Sequence, residues 1–197
     1  KTQACRQYYR EHGTNCIYIT VNPCIKSSKS VLELIGSKLN VSSGSVSRLW
    51  LEISSKLSDG MVIIVDEAQH LTRNAIDTLR SLCDCFDEKG QTLGICFVGN
   101  ETTVSRLGGK QKAEFAQIRN RTKNTRFYSV KQIKKSDIEM LFPDIREDTA
   151  AVEFLLCIAQ SPQAIRGAVN LYSNALDNGN VTAKGLSAIA KYMDMAV

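Results

Sequence analysis

The chain has 197 residues, of which 43% are apolar and 23% charged, and a net charge of +5. That length suits one α/β domain with a small appendage, and the composition is that of a globular protein, which excludes a disordered chain. No apolar run approaches the roughly 18 residues that a membrane span needs, and Arg6, Arg10 and Glu11 interrupt any signal-peptide core, so a soluble, cytoplasmic protein without a membrane partner is expected.

The charge is uneven. From Arg106 to Lys135 ten Lys or Arg face a single acid, Glu114, so this stretch carries +9 and the remainder −4. Such a concentration fits a polyanion, either nucleotide phosphate or nucleic acid, and equally a solvated basic face. The seven cysteines form no Cys-x-x-Cys pair, and the patterns around them predict reduced core residues rather than zinc ligands. His12 and His70 are isolated and read as surface or capping residues.

In chain order, Gln3 to His12 is helix-compatible and stops at Gly13. Cys16 to Asn22 is rich in β-branched and aromatic residues and predicts a strand ending at Pro23. Val31, Leu32, Leu34, Ile35 and Leu39, then Val46, Leu49, Trp50, Ile53 and Leu57, fall at helical spacing, with Ser42-Ser43-Gly44 between the two helices. Asp59-Gly60 turns the chain into Met61-Val62-Ile63-Ile64-Val65, an apolar run that predicts a strand buried on both faces and ends at two adjacent carboxylates, Asp66 and Glu67. At the carboxyl end of a parallel strand, Asp66 is placed to hold Mg²⁺ through its water shell and Glu67 to orient or deprotonate a water, as in a Walker B motif. The rival reading is a solvated Asp-Glu turn.

Thr72 then caps a helix to about Asp87, and Leu93 to Asn100 predicts a second apolar strand whose last residue, Asn100, reaches the same sheet edge. A strand is expected at Arg126 to Val130. Ser136 reads as the N-cap of a short helix closed by Pro143, and helices at about 147–159, 162–177 and 182–195 complete a bundle. A boundary follows, with an α/β core at 1–140 and a helical lid at 141–197.

Lys1-Thr2 opening a helix, the acids after Val62–Val65, Asn100, Arg121 and a C-terminal helical lid together resemble an AAA+ ATPase, an α/β P-loop NTPase with a parallel sheet. Val65-Asp66-Glu67-Ala68-Gln69-His70-Leu71, Thr78-Leu79-Arg80, Val98-Gly99-Asn100 and Phe115 to Arg121 are similar to the target-selecting transposition ATPases of the Mu B type, and more loosely to secretion-type ATPases and replication initiators. The resemblance implies ATP and Mg²⁺ as ligands, with Lys1 at the β- and γ-phosphates and Thr2 and Asp66 at the metal. It makes Glu67 the catalytic base and Asn100 the first sensor. Arg121, or else Arg119, is the arginine finger that enters a neighbouring subunit, and Arg166 is the second sensor, although Gln163 stands where the pattern often has Arg.

Implied partners are DNA, read largely without sequence preference, a transposase or similar protein, and further copies of the chain in a ring or filament. Lys26, Lys29, Arg106, Lys110 and Lys112 are the expected phosphate contacts. A secretion-type or initiator-like ATPase and a non-hydrolysing interaction module are the alternatives. In this fold a central strand and phosphate-cradling glycines come directly before Lys-Thr. Both are missing here, which predicts a gap between the remaining strands.

Overall fold

The computed structural model describes residues 1–100, 102–103 and 124–195. They belong to two compact units, Lys1–Lys123 and Asn124–Val197.

The first unit is built on a parallel sheet of β1 (Cys16–Thr20), β2 (Met61–Asp66) and β3 (Leu93–Phe97), in the order β1-β2-β3. Ile17 lies opposite Ile63, and Ile63 opposite Ile95, so the three strands are in direct register. The expected gap is therefore not present: β1 and β3 each pair with β2, and the free edges among the described residues are the outer sides of β1 and β3. A strand lacking a neighbour leaves its backbone donors and acceptors without partners, so direct pairing is the lower-energy arrangement.

One face of the sheet carries Ile17, Ile19, Ile63, Val65 and Leu93, all buried, packed with helices α2 (Ser28–Lys38), α3 (Val46–Lys56) and α4 (Arg73–Glu88). These helices form where apolar residues recur at helical spacing behind an oxygen-bearing cap. The hydroxyls of Ser27, Ser45 and Thr72 accept from the amides of Ser30, Arg48 and Ala75. The opposite face, with Cys16, Tyr18 and Ile64, carries α1 (Thr2–Glu11), which packs on β1 and β2 without burying any of its own residues.

The second unit is helical: α5 (Lys135–Leu141), α6 (Thr149–Gln160), α7 (Ala164–Asp177) and α8 (Ala183–Tyr192). Its core is apolar, with Ile138, Val152, Leu155, Ile158, Leu171 and Leu186 fully buried. The sequence draws its boundary at 140, inside α5, whereas Ile138 of α5 packs in this second core.

Two local expectations fail. Residues 124–129 have no regular structure and Val130–Gln132 is a 3-10 turn, so the strand expected at Arg126 to Val130 is absent; Phe127 and Tyr128 stand 60% and 72% exposed, and a β pattern forms a strand only where an edge pairs with it. Ser136 is not a cap either. The helix begins one residue before it, and the Asp137 carboxylate accepts from the Lys134 amide. The core reading of the cysteines holds for buried Cys16 and in part for Cys83, which packs half-buried against the core, while Cys5 and Cys85 are half-buried and Cys24, Cys96 and Cys157 exposed. No helix among the described residues is long and apolar enough to cross a membrane.

Candidate functional site

Parallel pairing brings all three strand ends to one edge of the first unit. At the end of β2, Asp66 is only 2% exposed, the one carboxylate among the buried residues described. Burying a charge is costly unless donors meet it, and two do: the Tyr18 hydroxyl donates to Oδ2 at 2.8 Å and the Glu67 amide to Oδ1 at 3.0 Å. Tyr18 reaches it because positions two apart share a strand face and β1 lies beside β2. The Thr20 hydroxyl donates in turn to the Tyr18 oxygen at 3.3 Å. Burial pushes the Tyr18 phenol above its ordinary pKa and its bond to Asp66 adds to this, while the bonds from Thr20 and Arg6 oppose it.

Glu67 follows with φ 58° and ψ 33°, the left-handed conformation that costs a non-glycine residue roughly 1–3 kcal/mol. The turn is held from several sides. The Ala68 amide donates to the Val98 carbonyl at 2.9 Å, the Val21 amide to the Asp66 carbonyl at 3.0 Å, and the Gln69 amide nitrogen to Glu67 Oε2 at 2.5 Å. The Glu67 side chain is exposed, so its carboxylate faces solvent while Asp66 lies behind it.

The N-terminus of α1 comes to the same edge. Lys1 Nζ donates to the Gly99 carbonyl, just past β3, at 2.5 Å, and Thr2 opens the helix half-buried. Cys5, one turn along, has its thiol pKa raised first by burial and then by the negative charge of Asp66. Asn100 is exposed at this edge, and its side-chain oxygen accepts from the Thr102 amide at 3.0 Å, in the manner of a helix cap.

Lys1, Thr2, Asp66, Glu67 and Asn100 thus gather at one sheet edge. Lys26 lies exposed in the loop after β1, a loop tied to α4 because the Lys26 carbonyl accepts from the Thr72 amide at 3.0 Å. Lys29 is exposed on the first turn of α2, 3.8 Å from Glu33. Arg106, Lys110, Lys112, Arg119 and Arg121 fall outside the described residues. Arg166 is exposed on the first turn of α7 in the second unit. Sequence reasoning missed Tyr18 and Gln69. Tyr18 carried a signal, its place two residues before a strand end with a polar side chain on an otherwise apolar run; Gln69 carried none, because its role depends on contacts with residues 99 to 103.

Oxygen donors of this kind suit a hard cation. Mg²⁺ is commonly held by one or two carboxylates together with substrate phosphates, and the Asp66 carboxylate and the Thr2 hydroxyl offer that chemistry at an edge where a lysine ammonium is also present.

A family model described as an AAA domain matches residues 1–107. The chain is 29% identical over 193 residues to the ATP-dependent target DNA activator B of Escherichia phage Mu, covering 94% of this chain and 57% of that protein. It is 28% identical over 183 residues to the Mu-like prophage FluMu DNA transposition protein B of Haemophilus influenzae, covering 88% of this chain and 60% of that one. The chain thus spans less than two thirds of the length of these relatives. Among solved structures, the RuvB Holliday junction branch migration motor of Thermotoga maritima aligns with a TM-score of 0.50 at 17% identity, over 96% of this chain and 66% of that one, a likeness of fold.

Proposed function

The chain belongs to the AAA domain family, and from that premise we propose that it is the ATP-hydrolysing part of a DNA-binding protein of transposition, one that selects target DNA and delivers it to a transposase. The observation that carries this reading is the meeting of Lys1, Asp66, Glu67 and Asn100 at the carboxyl edge of the sheet, the place where open α/β sheets bind ligands. The printed names of the phage Mu and prophage relatives supply DNA and transposition as the context.

In this reading Lys1 pairs with the β- and γ-phosphates, and the amides at the start of α1 face the same anion. Asp66 and Thr2 would hold Mg²⁺, which supplies neutralisation of the phosphate charge. Glu67, exposed and turned out of the strand, takes the proton of the attacking water, and Asn100 orients that water. Asp66 is kept in place for its task by Tyr18 and by the Glu67 amide. Arg121, or Arg119, completes the site of a neighbouring copy in a ring or filament, and Arg166 is the second sensor. Lys26, Lys29, Arg106, Lys110 and Lys112 contact DNA phosphates, which gives binding nearly independent of sequence.

The test is ATP turnover, with and without DNA, by a chain that carries the central strand and phosphate-cradling glycines ahead of Lys1. Glu67→Gln should lower the rate by about 10²- to 10⁴-fold while leaving nucleotide binding in place. No turnover by the wild-type chain under any DNA condition would sink the enzymatic reading in favour of an interaction module. Arg121→Ala should cost about 10³-fold or more, recovered in mixtures with Glu67→Gln subunits if the finger acts between copies. For DNA, each phosphate contact contributes about 0.9 to the slope of log affinity against log salt, so Lys110→Ala with Lys112→Ala should flatten the slope by nearly two. Turnover stimulated by a protein partner and indifferent to DNA would favour the secretion-type alternative.

A further inference from the structure

Gln69 sits three residues past the strand end, on the 3-10 turn Ala68–His70, and spends both ends of its amide on the site. Its nitrogen donates to Glu67 Oε2 at 2.5 Å. Its oxygen accepts from the Asn100 amide at 3.4 Å and from the Thr103 hydroxyl at 3.5 Å. Thr103 is 4% exposed, so the oxygen end of the bridge is anchored in the fold, while the Glu67 end faces solvent.

The backbone leaves space for this bridge and for nothing more. A Cβ built at Gly99 would lie 2.6 Å from Gln69 Oε1 and would also collide with Thr103 Oγ1. Gly99 has an ordinary backbone conformation, since it is absent from the positive-φ residues, so a glycine is needed there for close approach and not for φ. The same Gly99 presents the carbonyl that accepts from Lys1. One side chain therefore links the exposed carboxylate after β2 with the segment after β3 that meets the lysine and carries Asn100.

We propose that Gln69 is a positioning residue: it fixes the Glu67 carboxylate relative to Asn100, so that a displacement of the segment 99–103 changes where Glu67 points. This rests on the reading of Glu67 as the base of ATP hydrolysis. Glu67 needs such a tether because its left-handed backbone conformation is strained and its side chain, among the described residues, has no other hydrogen-bond partner. A neutral amide suits the role. It can donate to the carboxylate and accept from the backbone at once, which no hydrocarbon or acidic side chain of that length does.

The experiment is steady-state ATP hydrolysis by a chain that carries the central strand and phosphate-cradling glycines ahead of Lys1, with nucleotide affinity measured separately. Gln69→Met keeps the length and removes both hydrogen bonds; it should lower kcat about tenfold or more with KM and ADP affinity nearly unchanged. Gly99→Ala, which pushes the Gln69 oxygen away, should lower kcat in the same manner. The deciding measurement is the double variant. If Gln69 acts through Glu67, then Gln69→Met in the Glu67→Gln background lowers the residual rate by less than about twofold, because groups that work as a unit are non-additive. A tenfold loss in both backgrounds overturns the proposal and makes Gln69 a structural residue. Wild-type kcat in Gln69→Met also overturns it, while an inactive wild-type chain instead removes the hydrolytic reading of Glu67.

Discussion

The two units each hold a tyrosine hydroxyl against an aspartate, in opposite surroundings. In the first, Tyr18 donates at 2.8 Å to Asp66, a carboxylate 2% exposed at the end of a strand. In the second, Tyr172 donates at 3.0 Å to Asp144, an exposed carboxylate, and lays its ring 4.6 Å from that of Phe142. The surface pair decorates a core that needs no polar residue. The buried pair is what allows a charge to sit behind a sheet edge. All the buried polar residues described, Ser54, Asp66 and Thr103, lie in the first unit, and two of these border the candidate site, whereas the second unit closes on aliphatic side chains and one phenylalanine. Where buried polarity is retained against its cost, chemistry is the place to look.

Breaking the apolar side of this comparison should have the largest effect. Leu155 is fully buried in the helical core, and Leu155→Ala should cost about 2–5 kcal/mol in denaturant unfolding of the second unit. A loss below 1 kcal/mol would mean that the site collapses freely and that packing matters less than it looks. Next comes the buried pair. Tyr18→Phe leaves Asp66 with one donor, the Glu67 amide, and should cost about 1–3 kcal/mol. Tyr172→Phe keeps the ring contact and returns Asp144 to water, so its cost should stay below about 1 kcal/mol. The reverse order would show that burial of Asp66 is not what distinguishes the two pairs.

Alkaline pH sharpens the same contrast. The folded protein holds the Tyr18 proton more tightly than the unfolded chain does, because burial and the bond to Asp66 raise its pKa. Its contribution is then complete below the ordinary tyrosine value of about 10 and is lost as pH rises through the raised value. Burial likewise raises the thiols of Cys5 and Cys16, which begin the same loss at lower pH. The difference between wild type and Tyr18→Phe, measured as stability from pH 8 to 11, isolates the tyrosine and should narrow as pH climbs. A difference constant over that range would assign the bond no role in the titration. The effect that should not differ between the units belongs to the caps, one from each: the Thr72 hydroxyl on the Ala75 amide at 3.3 Å and the Asp148 carboxylate on the Ala151 amide at 3.0 Å. Thr72→Ala and Asp148→Ala should each cost about 1 kcal/mol, equal within error, since a cap is local and indifferent to the surroundings that separate the tyrosine pairs.

Much of the α/β unit was legible because its signals are short in range. Five apolar residues ending in Asp66 and Glu67 announce a buried strand and its acids, and the 3.6-residue recurrence of Ile76, Leu79, Leu82 and Phe86 announces α4 with Thr72 as its cap. The helices of the second unit followed from the same periodicity. What failed was pairing. Arg126 to Val130 has the composition of a strand, yet composition cannot supply a neighbouring edge.

The sequence by itself determined the three strands, the helices, the two acids and the residue classes at the sheet edge, since each is written in spacing of a few residues. Only the tertiary structure decided that β1, β2 and β3 pair without a gap. Only it placed Tyr18 on Asp66 across 48 residues, and Gln69 between Glu67 and Asn100 across 31. The reason is physical. Periodicity fixes which face of an element is apolar, but strand order and side-chain hydrogen bonds depend on which distant segments are brought together, and that is settled by how the whole core packs.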